Sequence, residues 1–277
     1  MDNNEVFETI KDIRDKIYAY FSNIDFKEEK HEYFVNINGN VEQYNSVSNV
    51  ISQFNRPFDS ELVAEKYAEK HGLIKENVLK EWKYKNLCST ISGTRAHLYG
   101  EGYTWLKCNL IDRIPNEVKT QYVKNENWLI PTSSKEVAIK KFYDELPNGI
   151  YPIGAEFMMS SQYIPNINTK MCGTADLLCY YDNPNDKSRS GVIILDWKTN
   201  IALENSYNRN NNITMLPPFD FLIDEALQHY SLQFGCYELM LRSIGIPIIG
   251  RRLIWLKDND YQIFKIDDRK QLLLSVL

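Results

Sequence analysis

Three residues in two short segments have the types and spacing to hydrolyse a phosphodiester. Asp176 closes the segment Gly173-Thr-Ala-Asp176, and twenty positions later Asp196 and Lys198 sit in Ile194-Leu-Asp-Trp-Lys-Thr199, at the end of an apolar run that starts at Val192. In a strand alternate residues share a face, so Asp196 and Lys198 point one way while Leu195 and Trp197 point the other. Two such charges at the end of an apolar strand are costly unless paired or ligated. If the strand carrying Asp176 lies alongside, two carboxylates and an ammonium converge, a set suited to Mg²⁺ and phosphodiester hydrolysis. The carboxylates offer hard oxygens to a hard cation. The lysine can orient or help deprotonate a water and offset charge growing on the phosphate. A strand-embedded Asp–Lys ion pair with an unrelated Asp nearby is the plainer alternative.

Further residues stand out by position. His97 and Glu101, four apart in Ser92-Gly-Thr-Arg-Ala-His-Leu-Tyr-Gly-Glu101, share a helix face. Glu156 is an isolated acid in the apolar strand Ile153-Gly-Ala-Glu-Phe157, and Gln233 and Tyr237 stand at i, i+4 on a long amphipathic helix. Each has an ordinary reading as well: a core or surface histidine, a solvated acid, a polar helix stripe.

The elements that must position these residues follow from periodicity. Val6, Ile10, Ile13, Ile17 and Phe21 recur at helical spacing and predict a helix over 5–21. Alternation around Asn38-Gly39-Asn40 predicts a hairpin. Helices are expected near 60–71, 75–86, 93–110 and 134–146, the last opened by Ser133, Ser134 and Glu136. Residues 151–164, 169–181 and 191–199 are rich in β-branched and aromatic residues and read as strands. A helix near 224–243, strands at 248–257 and 261–266 and a helix over 268–277 complete the chain. The expected class is α/β, with a helical N-terminal region covering a central sheet. Residues 1–145 would hold the hairpin, helices and His97, and 146–277 the core sheet, as one continuous domain.

The chain has 277 residues, 43% hydrophobic and 25% charged, which excludes disordered and fibrous classes. Its formal charge of −5 excludes coating DNA as a broadly basic protein, though a local groove can still be basic. Five widely spaced cysteines without a Cys-x-x-Cys pair suggest neither a zinc ribbon nor a disulfide framework, and read as buried free thiols in a reducing compartment. The acidic, amphipathic start lacks the features of a signal peptide, and no apolar run approaches the roughly 18 residues of a membrane span. An intracellular, soluble protein with no membrane partner is expected.

The order Gly93-Thr94-x-x-His97, acidic strand residue, Gly173-Thr-Ala-Asp176, Ile194-Leu-Asp-Trp-Lys-Thr199, Gln233-x-x-x-Tyr237 resembles the RecB-type exonuclease branch of the PD-(D/E)XK superfamily, with phage, bacterial and mitochondrial relatives. Tyr44-x-Ser46-Val-Ser48 is similar to a short segment preceding the helical region in those proteins, so the likeness covers most of 44–277. It implies a restriction-endonuclease-like core, a central mixed β-sheet flanked by helices. It further implies that His97, Asp176, Asp196 and the backbone carbonyl of Trp197 ligate Mg²⁺ or Mn²⁺ and that Lys198 is catalytic. Glu156 would support the metal or a second one, and Gln233 and Tyr237 would position the active site and the DNA backbone. Ala175 replaces a proline before Asp176, and Asp196 stands where many relatives have Glu. Some relatives bind an iron–sulfur cluster through four cysteines, one upstream and three near the C-terminus; only Cys236 lies in the C-terminal quarter here, so no cluster is expected.

The resemblance therefore implies a metal-dependent DNA exonuclease acting on single strands or free ends in recombination, repair or replication. An endonuclease on the same fold and a catalytically silent DNA-binding subunit are the alternatives. Basic residues beside aromatics, as in Trp82-Lys-Tyr-Lys85 and Arg251-Arg252 before Trp255 and Lys257, suit sequence-independent contact with single strands. No P-loop is present, so unwinding would need a helicase or recombinase partner. The expected setting is a bacterial or phage-infected cytoplasm, with an organelle as the alternative.

Overall fold

A computed structural model describes residues 3–122 and 129–277. It is an α/β protein whose elements run α1 (Asn3–Phe21), β1 (Ile24–Lys27), β2 (Glu32–Ile37), β3 (Asn40–Ser46), α2 (Val47–Ser52), α3 (Ser60–His71), α4 (Lys75–Lys107), α5 (Asn116–Tyr122), α6 (Ser134–Asp144), β4 (Ile150–Ser160), β5 (Met171–Tyr181), β6 (Gly191–Lys198), α7 (Ser206–Asn210), α8 (Ala226–Ser243), β7 (Ile248–Leu256), β8 (Tyr261–Lys265) and α9 (Lys270–Leu274).

Val6, Ile10, Ile13, Ile17 and Phe21 of α1 are all buried, and Arg14 fastens the helix to β4 by donating to the Ile153 carbonyl at 2.7 Å. The β2–β3 hairpin turns on Asn38 and Gly39, both at positive φ, as a two-residue turn demands. Ser133 and Glu136 form a reciprocal capping box at the start of α6.

The expected helices 75–86 and 93–110 are one helix, α4, of 33 residues. Leu87-Cys-Ser-Thr-Ile-Ser92 contains poor helix formers but no proline, so continuing the helix costs only tenths of a kcal/mol per residue, roughly 0.5 each. The Thr90 hydroxyl is satisfied by the Asn86 carbonyl at 3.0 Å. The last helix is shorter than expected, and β1, α2, α5 and α7 lie in stretches too short or too polar to show a period. Cys88 is exposed, against the expectation of uniformly buried thiols; Cys172, Cys179 and Cys236 are buried, and all five cysteines are free.

Among the described residues the eight strands form one mixed sheet in the order β1-β2-β3-β5-β6-β7-β8, with β4 on the second edge of β5. β4, β5 and β6 run antiparallel in sequence, and α8 crosses over so that β7 lies parallel to β6. A hydrophobic core draws on residues from Val6 to Leu273. The hairpin of α3 with the first half of α4 has its own small core of Ala64, Ala68 and Val78, with Leu79 and Trp82 against it. It stands out as an arm whose other side chains are mostly exposed. No described helix is long and apolar enough to cross a membrane.

Candidate active site

The sheet forks at the Gly-Thr-Ala-Asp segment. One edge of β5 pairs with β3 at Met171 and Cys172 and with β6 from Leu177 to Tyr181, leaving Gly173–Asp176 unpaired between them. The Tyr237 ring of α8 sits against this gap: a Cβ on Gly173 would lie 2.4 Å from its Cε1. Only glycine lets the two approach this closely.

At the fork three carboxylates line up across three strands. Ala155 and Phe157 of β4 face Leu177 and Ala175 of β5, which sets Glu156 opposite Asp176. Leu177 faces Leu195, so one step further Asp176 stands opposite Asp196. Glu156 has φ +53°, a left-handed conformation that is rare for a side chain this long and costs about 1 kcal/mol or more. Strain held inside a strand, beside two other acids, points to a role for the Glu156 carboxylate beyond folding.

Two cations face this row. Lys198 Nζ lies 2.5 Å from Asp196 Oδ1, and His97 Nδ1 lies 3.2 Å from Asp176 Oδ2. The Asp196–Lys198 approach is too poorly aligned for a hydrogen bond, so buried Asp196 Oδ1 has no hydrogen-bond partner. Trp197 enters through its backbone, its N–H donating to Asp176 Oδ2 at 2.9 Å, while its indole is buried in the core beside Phe142.

The electrostatics follow from burial and these partners. Burial disfavours the Asp176 charge, but His97 and then Lys198 hold its carboxyl well below the usual range. Asp196 goes the other way, pushed up to about 7 by burial and by Asp176 against the pull of Lys198. Burial opposes charging His97, yet Asp176 and Asp196 together raise it to about 9. Burial likewise opposes the Lys198 charge, and the two aspartates more than compensate, raising it. Burial and the nearby Asp176 push Glu156 well above the carboxylate range, and burial raises Glu101 to about 6.

Gln233 and Tyr237 stand behind the row rather than in it. Gln233 Nε2 donates to the Tyr237 hydroxyl at 2.6 Å, and Tyr237 is buried. Tyr230, which sequence reasoning missed, shares their helix face: Lys198 Nζ sits 4.6 Å above its ring, and its hydroxyl donates to Asn200 Oδ1 at 2.8 Å. The spacing Tyr230, Gln233, Tyr237 was the signal that could have found it.

His97, Glu101, Glu156, Lys198 and Tyr230 open into a cleft of about 820 Å³, with Glu28 and Glu117 at its margin. Ligand atoms of His97, Glu156 and Asp176 all lie within 4.8 Å of one another, close enough to share one cation. This set differs from the sequence expectation: Glu156 joins His97 and Asp176, whereas Asp196 is engaged by Lys198. The register explains the difference, because it puts Glu156 directly across from Asp176, a relation not visible in sequence spacing.

No protein-family model matches the chain, and no curated protein matches it.

Proposed function

We propose that this protein is a divalent-metal-dependent deoxyribonuclease of the PD-(D/E)XK type, acting as an exonuclease on single strands or free ends in recombination, repair or replication. The observation that carries the reading is the row Glu156–Asp176–Asp196 across three strands, with His97 and Lys198 against it at the floor of a cleft. The donor set fits a cation: three ligand atoms from an imidazole and two carboxylates that lie within 4.8 Å of one another. His97, Glu156 and Asp176 would hold Mg²⁺ or Mn²⁺, with Asp196 completing the set. When bound, such a cation supplies Lewis acidity to the scissile phosphate and lowers the pKa of a water.

The chain's own groups do the rest. Lys198, kept protonated by Asp196 and Asp176, orients the attacking water and offsets charge on the phosphate oxygens. Asp196 pairs with its ammonium and Tyr230, its hydroxyl fixed by Asn200, packs under it, so the lysine is held from two sides. Tyr237, hydrogen-bonded to Gln233 and pressed on Gly173, keeps the fork open. Ser89 and Thr90, where α4 runs from the arm toward His97, form part of the cleft wall, and a wall on that side favours a strand with a free end. The convergence of His97, Asp176, Asp196 and Lys198 speaks against a silent binding subunit.

The test is cleavage of end-labelled linear single-stranded DNA and of a closed single-stranded circle, with Mg²⁺, Mn²⁺ or EDTA, beside Asp196→Ala. Metal-dependent loss of the linear strand only, absent in the variant, is expected. Cutting of the circle would make the enzyme an endonuclease; a folded protein that cuts neither would overturn the nuclease reading.

A further inference from the structure

A second cleft of about 420 Å³ adjoins the first, within the range of small-ligand sites. The two share Ser89 of α4 and Thr199, Asn200 and Ile201, which directly follow Lys198, so they adjoin along that stretch. Ile201, which lines both clefts, is 89% exposed. Beyond it lies Trp255 of β7, flanked by Lys257 and Lys135.

Charge decides which way a polyanion can run from the carboxylates. Around the metal-binding carboxylates the first cleft carries Glu28, Glu101 and Glu117, an acidic margin unfavourable to a phosphodiester chain running on past the scissile phosphate. Lys198 itself lines the first cleft, and from it the neutral stretch Thr199–Ile201 leads to Lys257 and Lys135 in the second. Asp258 is the acid there; it pairs with Lys135 at 3.2 Å and is itself largely exposed, so its charge is well screened.

Trp255 is built to present a ring. Its Nε1 donates to the Asn200 carbonyl at 2.7 Å, which ties the indole to the loop leaving the catalytic lysine, and Phe264 supports it from the strand behind. Lys257 Nζ rests 4.6 Å over the ring and 2.8 Å from Gln262 Oε1, an exposed and flexible group that a base can displace toward a phosphate. A fixed aromatic beside a mobile cation is the arrangement that binds single-stranded nucleic acid without reading its sequence.

We propose that the second cleft is a nucleotide subsite, in which a base of a single-stranded substrate next to the scissile phosphate stacks on Trp255 and Lys257 contacts its backbone. The subsite rests on the nuclease reading above. Trp255 acts as a positioning residue: it fixes the strand, and through Asn200 it shares a loop with Lys198.

The experiment measures steady-state cleavage of oligothymidylate in Mn²⁺ by wild type, Trp255→Leu, Trp255→Phe, Lys257→Gln and Tyr207→Ser. Tyr207 is an exposed aromatic outside both clefts and serves as the control. Trp255→Leu should raise KM about tenfold or more with a smaller effect on kcat. Trp255→Phe, which keeps a stacking face but loses the Asn200 hydrogen bond, should recover most of that loss. Lys257→Gln, at an exposed position where folding is not at stake, should lower the salt dependence of KM by about one counterion. Wild-type cleavage with an unchanged KM in Trp255→Leu and an unchanged salt slope in Lys257→Gln would overturn the subsite and leave the nuclease standing. A wild-type protein that cleaves no DNA would overturn both.

Discussion

Replacing Glu156 by Gln keeps the side chain's shape and removes a carboxyl that, raised by burial and by Asp176, must at pH 8 either stay charged beside Asp176 or take up a proton on folding, both at a cost. Glu156 makes no hydrogen bond and no ion pair among the described residues, while a ligand oxygen of Asp176 lies within 4.8 Å of it. Were both fully ionised, they would repel by about 3.5 kcal/mol at an effective dielectric of about 20, which is the ceiling because protonation of Glu156 relieves part of it. The cleft is open to water, which cuts the figure to about 1–2 kcal/mol. At pH 8 in EDTA, Glu156→Gln should therefore be more stable than wild type by that amount, a rise in Tm of roughly 2–4 °C for a chain of this length. Saturating Mn²⁺ should reverse the order. Wild type gains about 2.7 kcal/mol at a hundredfold excess over Kd, and the variant, short of one ligand, gains less. Differential scanning fluorimetry with and without Mn²⁺ reads both effects. A variant less stable in EDTA that gains as much as wild type from Mn²⁺ would show that Glu156 is a structural residue and that its strained backbone serves no cation.

Other outcomes are open to direct measurement. Gly173→Ala would drive a methyl into Tyr237, so urea unfolding should show a loss of about 1–3 kcal/mol, and DNA cleavage should fall with it. Mn²⁺ should raise Tm more than Mg²⁺ at equal concentration, because an imidazole sits in the set, and His97→Ala should narrow the gap. Fully buried Glu136 accepts hydrogen bonds from the Thr132 hydroxyl, the Ser133 N–H and the Tyr122 hydroxyl at 2.8–2.9 Å. Burial opposes its charge, but the Thr132 backbone N–H, the Tyr122 and Thr132 hydroxyls and Arg95 lower its carboxyl below the ordinary 4.5. Its stabilising effect is thus complete above pH 4.5 and lost as pH falls through the lowered value. Glu136→Gln should cost about 3 kcal/mol at pH 7 and much less under strong acid, in chemical unfolding at the two pH values.

Local chemistry was legible in the sequence wherever one element sufficed. The spacing of Val6 to Phe21 shows α1, Asn38-Gly39 shows the hairpin turn, and Asp196 with Lys198 two apart shows which strand face carries charge. What stayed hidden depends on relations between strands. Glu156 gains its place opposite Asp176 only from the β4–β5 register, and the fork exists because β3 and β6 divide one edge of β5. Gly173 looks like an ordinary strand glycine until Tyr237 is set against it. The continuity of α4 was hidden for another reason: Leu87–Ser92 carries weak helix formers, and the turns on either side override so small a preference.

The unbroken course of α4 ties the arm to His97 with no joint between them. Tyr84 on the arm and His97 at the carboxylates are separated by thirteen helical steps, about 20 Å at 1.5 Å each. One residue added between them would turn the whole arm by about 100° around the helix axis, while four would restore its facing to within about 40° and lift it about 6 Å. Length changes in this stretch should therefore be tolerated in steps close to whole turns, whatever residues fill them. Single-residue insertions, each harmless to helix formation, would swing the arm's surface away from its present facing.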